Sequence, residues 1–373
     1  MFYARLFAAV PELGTNLFNR SNQADHTQQQ ALASSIAAFA SLLVTHQSTD
    51  IDAIMARIAA KHASLGVTAG LYEIVREHLF AALAEVLGDG LTTEVATAWH
   101  EVYTLMANSL VEQEARLYQH AGLAPGQVWR PAVVTAREYD GAHAATLSLR
   151  PADERPFPVY LPGHYISVRV PFVDGTEQIR QYTLTRGLHR GEWALSVKRV
   201  PGGLVSPILV DQVEAGHQLT VSHPFGSVVI DSGNAPLLLV SAGIGITNTM
   251  AALQHLVAQN SGRQVTIVHV ESSAYEHVRR VEFSELVAML PHAQVHLRYT
   301  EFDSIHDDGR NPLTGISLPA HAHTYVCGPV DFMRSIRTRL INAGLPPESV
   351  HFEAFAPGSW LGLEHEHEHE PVS

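Results

Sequence analysis

The chain has 373 residues, of which 46% are apolar and 16% charged, and a formal net charge of −13. That length holds two or three separately cored domains, and the apolar fraction excludes a disordered chain. The acidic balance excludes nucleic acid and anionic membrane surfaces as partners, while the single cysteine, Cys327, excludes an intrachain disulfide and fits a reducing, cytoplasmic setting.

Met1–Gly14 has neither a basic start nor an uninterrupted apolar core, so it reads as a poor signal peptide. No apolar run approaches membrane-spanning length. Residues 25–121 predict helices. Leu32, Ile36, Phe39 and Leu43 form one stripe in 31–44, and Ile51, Ile54, Ile58, His62 and Leu65 form another in 50–65. The style continues through 70–87 and 92–118, the last carrying Val95, Ala98, Trp99, Val102, Met106 and Leu110. A histidine on an apolar stripe is more often a satisfied core residue than a ligand. Its surroundings favour iron: Lys61-His62 closes one helix, Tyr72 opens the next, and Glu114 lies deep in the last, within SLVEQEARLY. A carboxylate on an apolar face needs a partner, and an imidazole that donates to a carboxylate becomes a stronger donor to iron.

Gly and Pro in 122–131 (GLAPGQVWRP) mark a linker. From 132 the chain alternates as short strands do, in AVVTAREY, ATLSLRP, HYISVRVPF, WALSVKRV and QLTVSHPF, which predicts an antiparallel β-barrel over 132–233. Beyond it, LLLVSAGIGITNT, QVTIVHV and TYVCGP are short apolar runs separated by helical stretches, as a parallel α/β sheet over 234–360 requires. The tail, 361–373, contains EHEHEHE. His365, His367 and His369 could share one face and bind a divalent metal, but a solvated tail is the plainer reading.

Taken singly, the motifs of the second half are weak. Arg180 of RQYT (180–183) can clamp a phosphate bidentately, and Tyr182 can stack on or hydrogen-bond to a flavin ring. In PGGLVSP, Gly202 and Gly203 permit close backbone approach, and Ser206-Pro207 reads as a cap followed by a first helical residue, a natural pyrophosphate site. AGIGIT (242–247) and CGPVDFM (327–333) each stand between a strand and a helix, where open α/β sheets bind dinucleotides. Cys327 alone reads as a buried small hydrophobe.

In their order and spacing, RQYT, PGGLVS, PFG (224–226), AGIGIT and CGP resemble the ferredoxin–NADP reductase-like superfamily over 130–360. The resemblance implies that Tyr165, Arg180, Gln181, Tyr182, Thr183 and the loop Gly202, Gly203, Val205 and Ser206 hold FAD. It implies that Gly243, Gly245, Thr247, Cys327, Gly328 and Pro329 line the NAD(P)H site. HFEAF (351–355) makes Phe355 the ring that covers the flavin and Glu353 its polar neighbour. Asn248, Val228 and Ala354 depart from the common Pro, Phe and Cys of that pattern, without removing a charge or a nucleophile.

FYARLF, PELGTNLFNRSNQ, QQQALASSIAAFA, IAAKHASLGV and YEIVREHL resemble the globin domain of flavohaemoglobins, the bacterial and fungal nitric oxide dioxygenases, over 1–121. By that resemblance His62 is the proximal ligand of haem b, with Tyr72 and Glu114 behind it. Phe18 wedges the haem, Tyr3, Gln28 and Leu32 line the distal side, and Tyr3 donates a hydrogen bond to the oxygen held there. Members of that family begin with a further helix. The expectation is therefore a fraying N-terminal helix at Tyr3 and a globin core that has lost part of its cover.

The expected architecture is a multidomain chain: an all-α globin-like domain, an antiparallel β-barrel FAD domain and an α/β parallel-sheet NAD(P)-binding domain. The expected function is dioxygenation of NO to nitrate by O2, driven by NAD(P)H, with small molecules as the only partners and no obligate protein partner. A second reading is an FAD-dependent NAD(P)H reductase with a degenerate or regulatory globin half, and a haem-based gas sensor ranks last. Arg279 and Arg280, after the strand ending near Val270, are the candidates for a 2′-phosphate contact.

Overall fold

The computed structural model describes residues 2–11, 36, 39–41, 48–153, 155–301, 311–353 and 355. The chain falls into two compact units. The first comprises Met1–Arg130, Ile166–Gln181 and Leu219–Ser227; the second comprises Pro131–Tyr165, Tyr182–Gln218 and Val228–Ser373.

In the first unit, α1 (Phe2–Ala9), α2 (Ser48–Leu65), α3 (Ala69–Leu87) and α4 (Thr93–Ala121) supply the globin-like part. The buried stripe of α4 runs through Tyr103, Met106, Ala107, Leu110, Glu114 and Tyr118, one face of a 3.6-residue period. Val95 and Trp99, expected on that stripe, are exposed. Thr92 caps α4 through its side chain, and Gly122, in the left-handed region at φ 67°, closes it. Met55 and Ala59 of α2 join the core of α4, together with Ile36, Phe39 and Tyr72. The expected fraying of α1 is not what the structure shows. Leu6 is fully buried, Tyr3 is 8% exposed, and both pack beside Leu71, Ile74 and Val75 of α3.

Twelve strands are described: β1 (Trp129–Asp140), β2 (Ala144–Pro151), β3 (Tyr165–Pro171), β4 (Glu177–Thr183), β5 (Thr185–Arg186), β6 (Trp193–Lys198), β7 (Gln218–Ser222), β8 (Leu237–Ala242), β9 (Val265–Glu271), β10 (Ala293–Tyr299), β11 (His323–Cys327) and β12 (Val350–Glu353). β1 begins at Trp129, inside the stretch read as linker 122–131. β3 pairs antiparallel with β7, Val168 facing Val221. In the second unit β2 pairs antiparallel with both β1 and β6, and β6 with β5. A bulge between Val134 and Ala136 bends β1.

Alternation along β2 and β6 predicts one wet face, yet Thr146, Ser148 and Ser196 are buried. Their hydroxyls are satisfied internally. Thr146 Oγ1 lies 2.7 Å from Ser196 Oγ and donates at 2.7 Å to Asp140.

β8 to β12 form a parallel sheet in the order β10-β9-β8-β11-β12. Every residue of β8 is buried, as a strand covered on both faces requires. Ile246, Met250, Leu253 and Leu256 of α5 (Ile246–Ala258) pack with Leu237, Leu239, Val265 and Ile267, and Phe283 of α6 (Arg280–Ala288) joins them. The chain runs outward from β8 in both directions. The strand order therefore reverses between β8 and β11, and the crevice beyond their C-terminal ends is the switch point at which such sheets take ligands. At the opposite end the buried Arg263 guanidinium donates to both carboxylate oxygens of Asp231, at 3.2 and 3.1 Å. That pair ties the segment entering β8 to the sheet.

Gly163, in LPGHY, has φ +105°, and a Cβ there would stand 2.0 Å from the Val228 carbonyl oxygen. Both its backbone conformation and its contact demand glycine. Gly163→Ala is expected to destabilise the protein by roughly 2–4 kcal/mol, read as a lowered urea midpoint. An unchanged midpoint would refute the strain.

Candidate functional site

His62 occupies the last turn of α2, Tyr72 the first turn of α3, and Glu114 about the sixth turn of α4. They meet although 52 residues separate His62 from Glu114. His62 Nδ1 lies 2.7 Å from the Tyr72 hydroxyl oxygen and 3.0 Å from Glu114 Oε1, and the Tyr72 hydroxyl donates to the same Oε1. Tyr72 has one hydroxyl proton and gives it to the carboxylate, so toward Nδ1 it offers only lone pairs. Nδ1 therefore carries a proton, which in the neutral ring leaves the lone pair on Nε2.

Two further tyrosines fix the turn between α2 and α3. Tyr103 donates to the Tyr72 carbonyl and Tyr118 to the Val67 carbonyl, each at 2.7 Å. Burial, and then the Glu114 charge, push the Tyr72 phenol far above its ordinary range, so it stays a donor. Glu114 is 2% exposed, whereas the His62 side chain is 32% exposed. The ring is thus anchored on its Nδ1 side and open elsewhere. A neutral imidazole with a carboxylate behind Nδ1 and its Nε2 lone pair available is the donor expected for haem iron, and the residues present fit that group.

Of the distal candidates, Tyr3 lies on α1 with its ring against Phe2 and Phe7, and burial raises its phenol well above the usual value. Phe18, Gln28 and Leu32 lie outside the described residues.

Arg180 and Gln181 stand on β4 in the first unit. Arg180 Nη1 donates to its neighbour's carbonyl, that of Ile179, at 2.8 Å, and Gln181 Nε2 donates to Ser167 Oγ at 3.0 Å. In the second unit Tyr165 opens β3, Tyr182 is half-buried and Thr183 buried at the end of β4, and Val205 is buried. The 202–206 loop corrects one expectation. Ser206 does not cap the helical turn that follows; its Oγ accepts from the Val200 N–H at 2.9 Å and closes the glycine loop on itself. The loop's geometry explains this. Gly203 brings its own backbone so close that a Cβ would lie 3.2 Å from Ser206 Oγ. Phe355, just past β12, is 45% exposed, an open ring of the kind that can cover a ligand.

AGIGIT and CGP meet at the switch point. β8 and β11 are adjacent and parallel, with Ser241 opposite Cys327. Gly243 and Gly245 turn the chain from β8 into α5, and Pro329 opens α7 (Val330–Asn342). A Cβ on Gly245 would stand 2.3 Å from the Cys327 carbonyl oxygen and 3.0 Å from the Gly328 nitrogen. Gly243 differs: its need is conformational, φ +53°, and nothing stands within 4 Å of its missing Cβ. Thr247 Oγ1 donates to the Ile244 carbonyl at 3.0 Å. Burial, aided by the Glu353 charge, raises the Cys327 thiol, so it stays a neutral group at the end of β11. Glu353 faces Cys327 across the β11–β12 pair.

Sequence reasoning left both arginines after β9 open. The structure commits Arg279 to Thr185 Oγ1 at 2.6 Å, to the Arg186 carbonyl at 3.2 Å and to Glu282. Arg280 is exposed and remains the candidate for a 2′-phosphate contact. The histidine tail lies outside the described residues.

Gly245→Ala forces the two loops apart without straining its own backbone. The expected result is an NAD(P)H KM raised roughly tenfold or more with FAD retained, read by ferricyanide reduction against NAD(P)H concentration. An unchanged KM would place the nucleotide elsewhere.

A globin family profile matches residues 1–110, an oxidoreductase FAD-binding domain residues 140–230, and an oxidoreductase NAD-binding domain residues 239–338. The chain is 35% identical to a flavohemoprotein of Rhizobium meliloti, over 95% of this chain and 92% of that one. It is 36% identical to a flavohemoprotein of Bordetella pertussis, over 96% and 92%. Its structure is similar to the crystal structure of flavohemoglobin from Malassezia yamatoensis with bound FAD and heme: TM-score 0.87, 34% identity, 95% of this chain and 93% of that one. The helices around His62, the antiparallel strands with RQYT and the parallel sheet with AGIGIT and CGP thus form one continuous likeness, and the chain belongs to the flavohaemoprotein family of NAD(P)H-dependent oxidoreductases, which join a globin to FAD- and NAD-binding domains.

Proposed function

We propose that the protein is a nitric oxide dioxygenase that converts NO and O2 to nitrate with electrons from NAD(P)H. The observation that carries this reading is the pinning of His62 Nδ1 by Tyr72 and Glu114, in the same chain as the AGIGIT and CGP loops that touch at Gly245. When bound, FAD would supply hydride acceptance from NAD(P)H and one-electron release, and haem iron would supply the centre at which O2 and NO react.

The chain's own residues supply the rest. His62 offers Nε2 to the iron, while Glu114 and Tyr72 hold its proton at Nδ1 and make the imidazole a stronger donor. Tyr3 keeps its proton at every physiological pH, so it can donate on the distal side, where the family resemblance also sets Phe18, Gln28 and Leu32. Arg180 answers the FAD phosphates, with Gln181, Tyr182, Thr183, Tyr165, Gly202, Gly203, Val205 and Ser206 around the rest and Phe355 and Glu353 at the ring. Gly243, Gly245, Thr247, Cys327, Gly328 and Pro329 receive the nicotinamide nucleotide. Among the described residues no helix is long and apolar enough to cross a membrane. The proposed setting is the cytoplasm, with small-molecule substrates and no obligate protein partner, as a fused single chain permits.

Converting NO and O2 to nitrate consumes one electron, so each hydride supports two turnovers. Purified holoprotein is expected to consume NO and O2 in equal amounts, with half as much NAD(P)H oxidised. His62→Ala is expected to lose NO consumption and the Soret band while ferricyanide reduction stays within about twofold. NO consumption no faster than that of flavin alone in the haem-loaded wild type would reject the proposal.

A further inference from the structure

One buried polar chain joins the RQYT strand to the helix that carries His62. Gln181 Nε2 lies 3.0 Å from Ser167 Oγ, Ser167 Oγ 2.9 Å from Ser64 Oγ, and Ser64 Oγ 2.8 Å from the Lys61 carbonyl oxygen. Ser64 and Ser167 are both fully buried. The direction of each bond follows from what each group can do. A carbonyl only accepts, so Ser64 gives its proton to Lys61; Ser167 must then donate to Ser64, and the Gln181 amide to Ser167. All three bonds point the same way and end on the peptide group that joins Lys61 to His62.

The chain is anchored from its middle as well. The Ser167 N–H donates to Ser222 Oγ at 2.9 Å, and the Ser222 hydroxyl passes on to the His223 carbonyl at 2.8 Å. Two buried hydroxyls between a helix and a strand cost more to desolvate than alanines in the same space, and what they add is directionality. With one Nε2 hydrogen given to Ser167, the orientation of the Gln181 carboxamide is set and its Oε1 is kept as an acceptor for a flavin. Aligned buried bonds also polarise one another, so a change at one end is felt at the other.

We propose that Ser64, Ser167 and Gln181 form a coupling element by which flavin occupancy at Gln181 sets the last turn of α2 and with it His62, and that Ser167 is a positioning residue for haem reduction. This rests on the flavin and haem assignments made above. The reaction it serves is a one-electron exchange in which reduced flavin is oxidised and ferric iron is reduced; the serines carry neither the electron nor a proton.

The test uses full-length protein holding both FAD and haem, as wild type, Ser167→Ala, Ser64→Ala and the double variant. Three quantities are read: ferricyanide reduction by NADH, the stopped-flow rate of haem reduction under CO, and the Fe–His stretching band with FAD bound and with FAD stripped. Ferricyanide reduction is expected to stay within about twofold and haem reduction to slow roughly three- to tenfold, the worth of one net hydrogen bond. The double variant is expected to be no slower than either single one, and the FAD-dependent shift of the Fe–His band seen in wild type is expected to vanish. Ser64→Ala breaks the same chain from the helix end, so if one variant fails to fold the other decides. Wild-type haem reduction together with a retained FAD-dependent shift in the variants overturns the coupling alone, as does ferricyanide reduction that falls in parallel. A wild type that takes up no haem overturns the haem assignment and the coupling with it.

Discussion

A carboxylate that is almost wholly withdrawn from water must be answered by donors, and in this protein Glu114 is answered by Tyr72 and His62. Leaving it unpaired would cost several kcal/mol, so three consecutive α-helices are held to one arrangement. The same requirement decides the chemistry. Once the Tyr72 proton is spent on Glu114, only the Nδ1–H form of the two neutral His62 tautomers satisfies the site, and in it the lone pair on Nε2 is a by-product of satisfying a buried charge. Packing of the helical unit and availability of the His62 Nε2 lone pair are one constraint.

Glycine does different work in the second unit. At Gly245 the backbone is ordinary and the need is space, because the Cys327 carbonyl occupies the place of a side chain. At Gly243 the need is conformational, and at Gly163 it is both. The two βα loops approach each other through backbone atoms, so a side chain at Gly245 has no room.

Much of this was legible in the sequence because it is written in local patterns. The 3.6-residue stripes announced α2 and α4, the unbroken apolar run LLLVSA announced a strand covered on both faces, and a carboxylate on an apolar helix face announced that Glu114 has a partner. What escaped is set by tertiary contacts of residues without local signature. Ser64 and Ser167 are 103 positions apart, and a lone serine in a helix or a strand implies nothing about the other. Gly163 has no local signal of its own, and only the Val228 carbonyl shows why it must be glycine. Ser206 looked like a helix cap because Ser-Pro usually is one, yet its hydroxyl is taken by Val200 across the glycine turn. Arg279 looked free for a phosphate and is spent on Thr185, Arg186 and Glu282.

Where one proton sits decides the chemistry of the site, and the nitrogen-15 chemical shifts of the His62 ring report that directly. In the full-length chain prepared without haem, at a pH where the imidazole is neutral, Nδ1 should show the shift of a protonated ring nitrogen and Nε2 that of an unprotonated one, with the pattern lost in Glu114→Leu. A wild-type spectrum with the proton on Nε2, or an even mixture of the two tautomers, would contradict it.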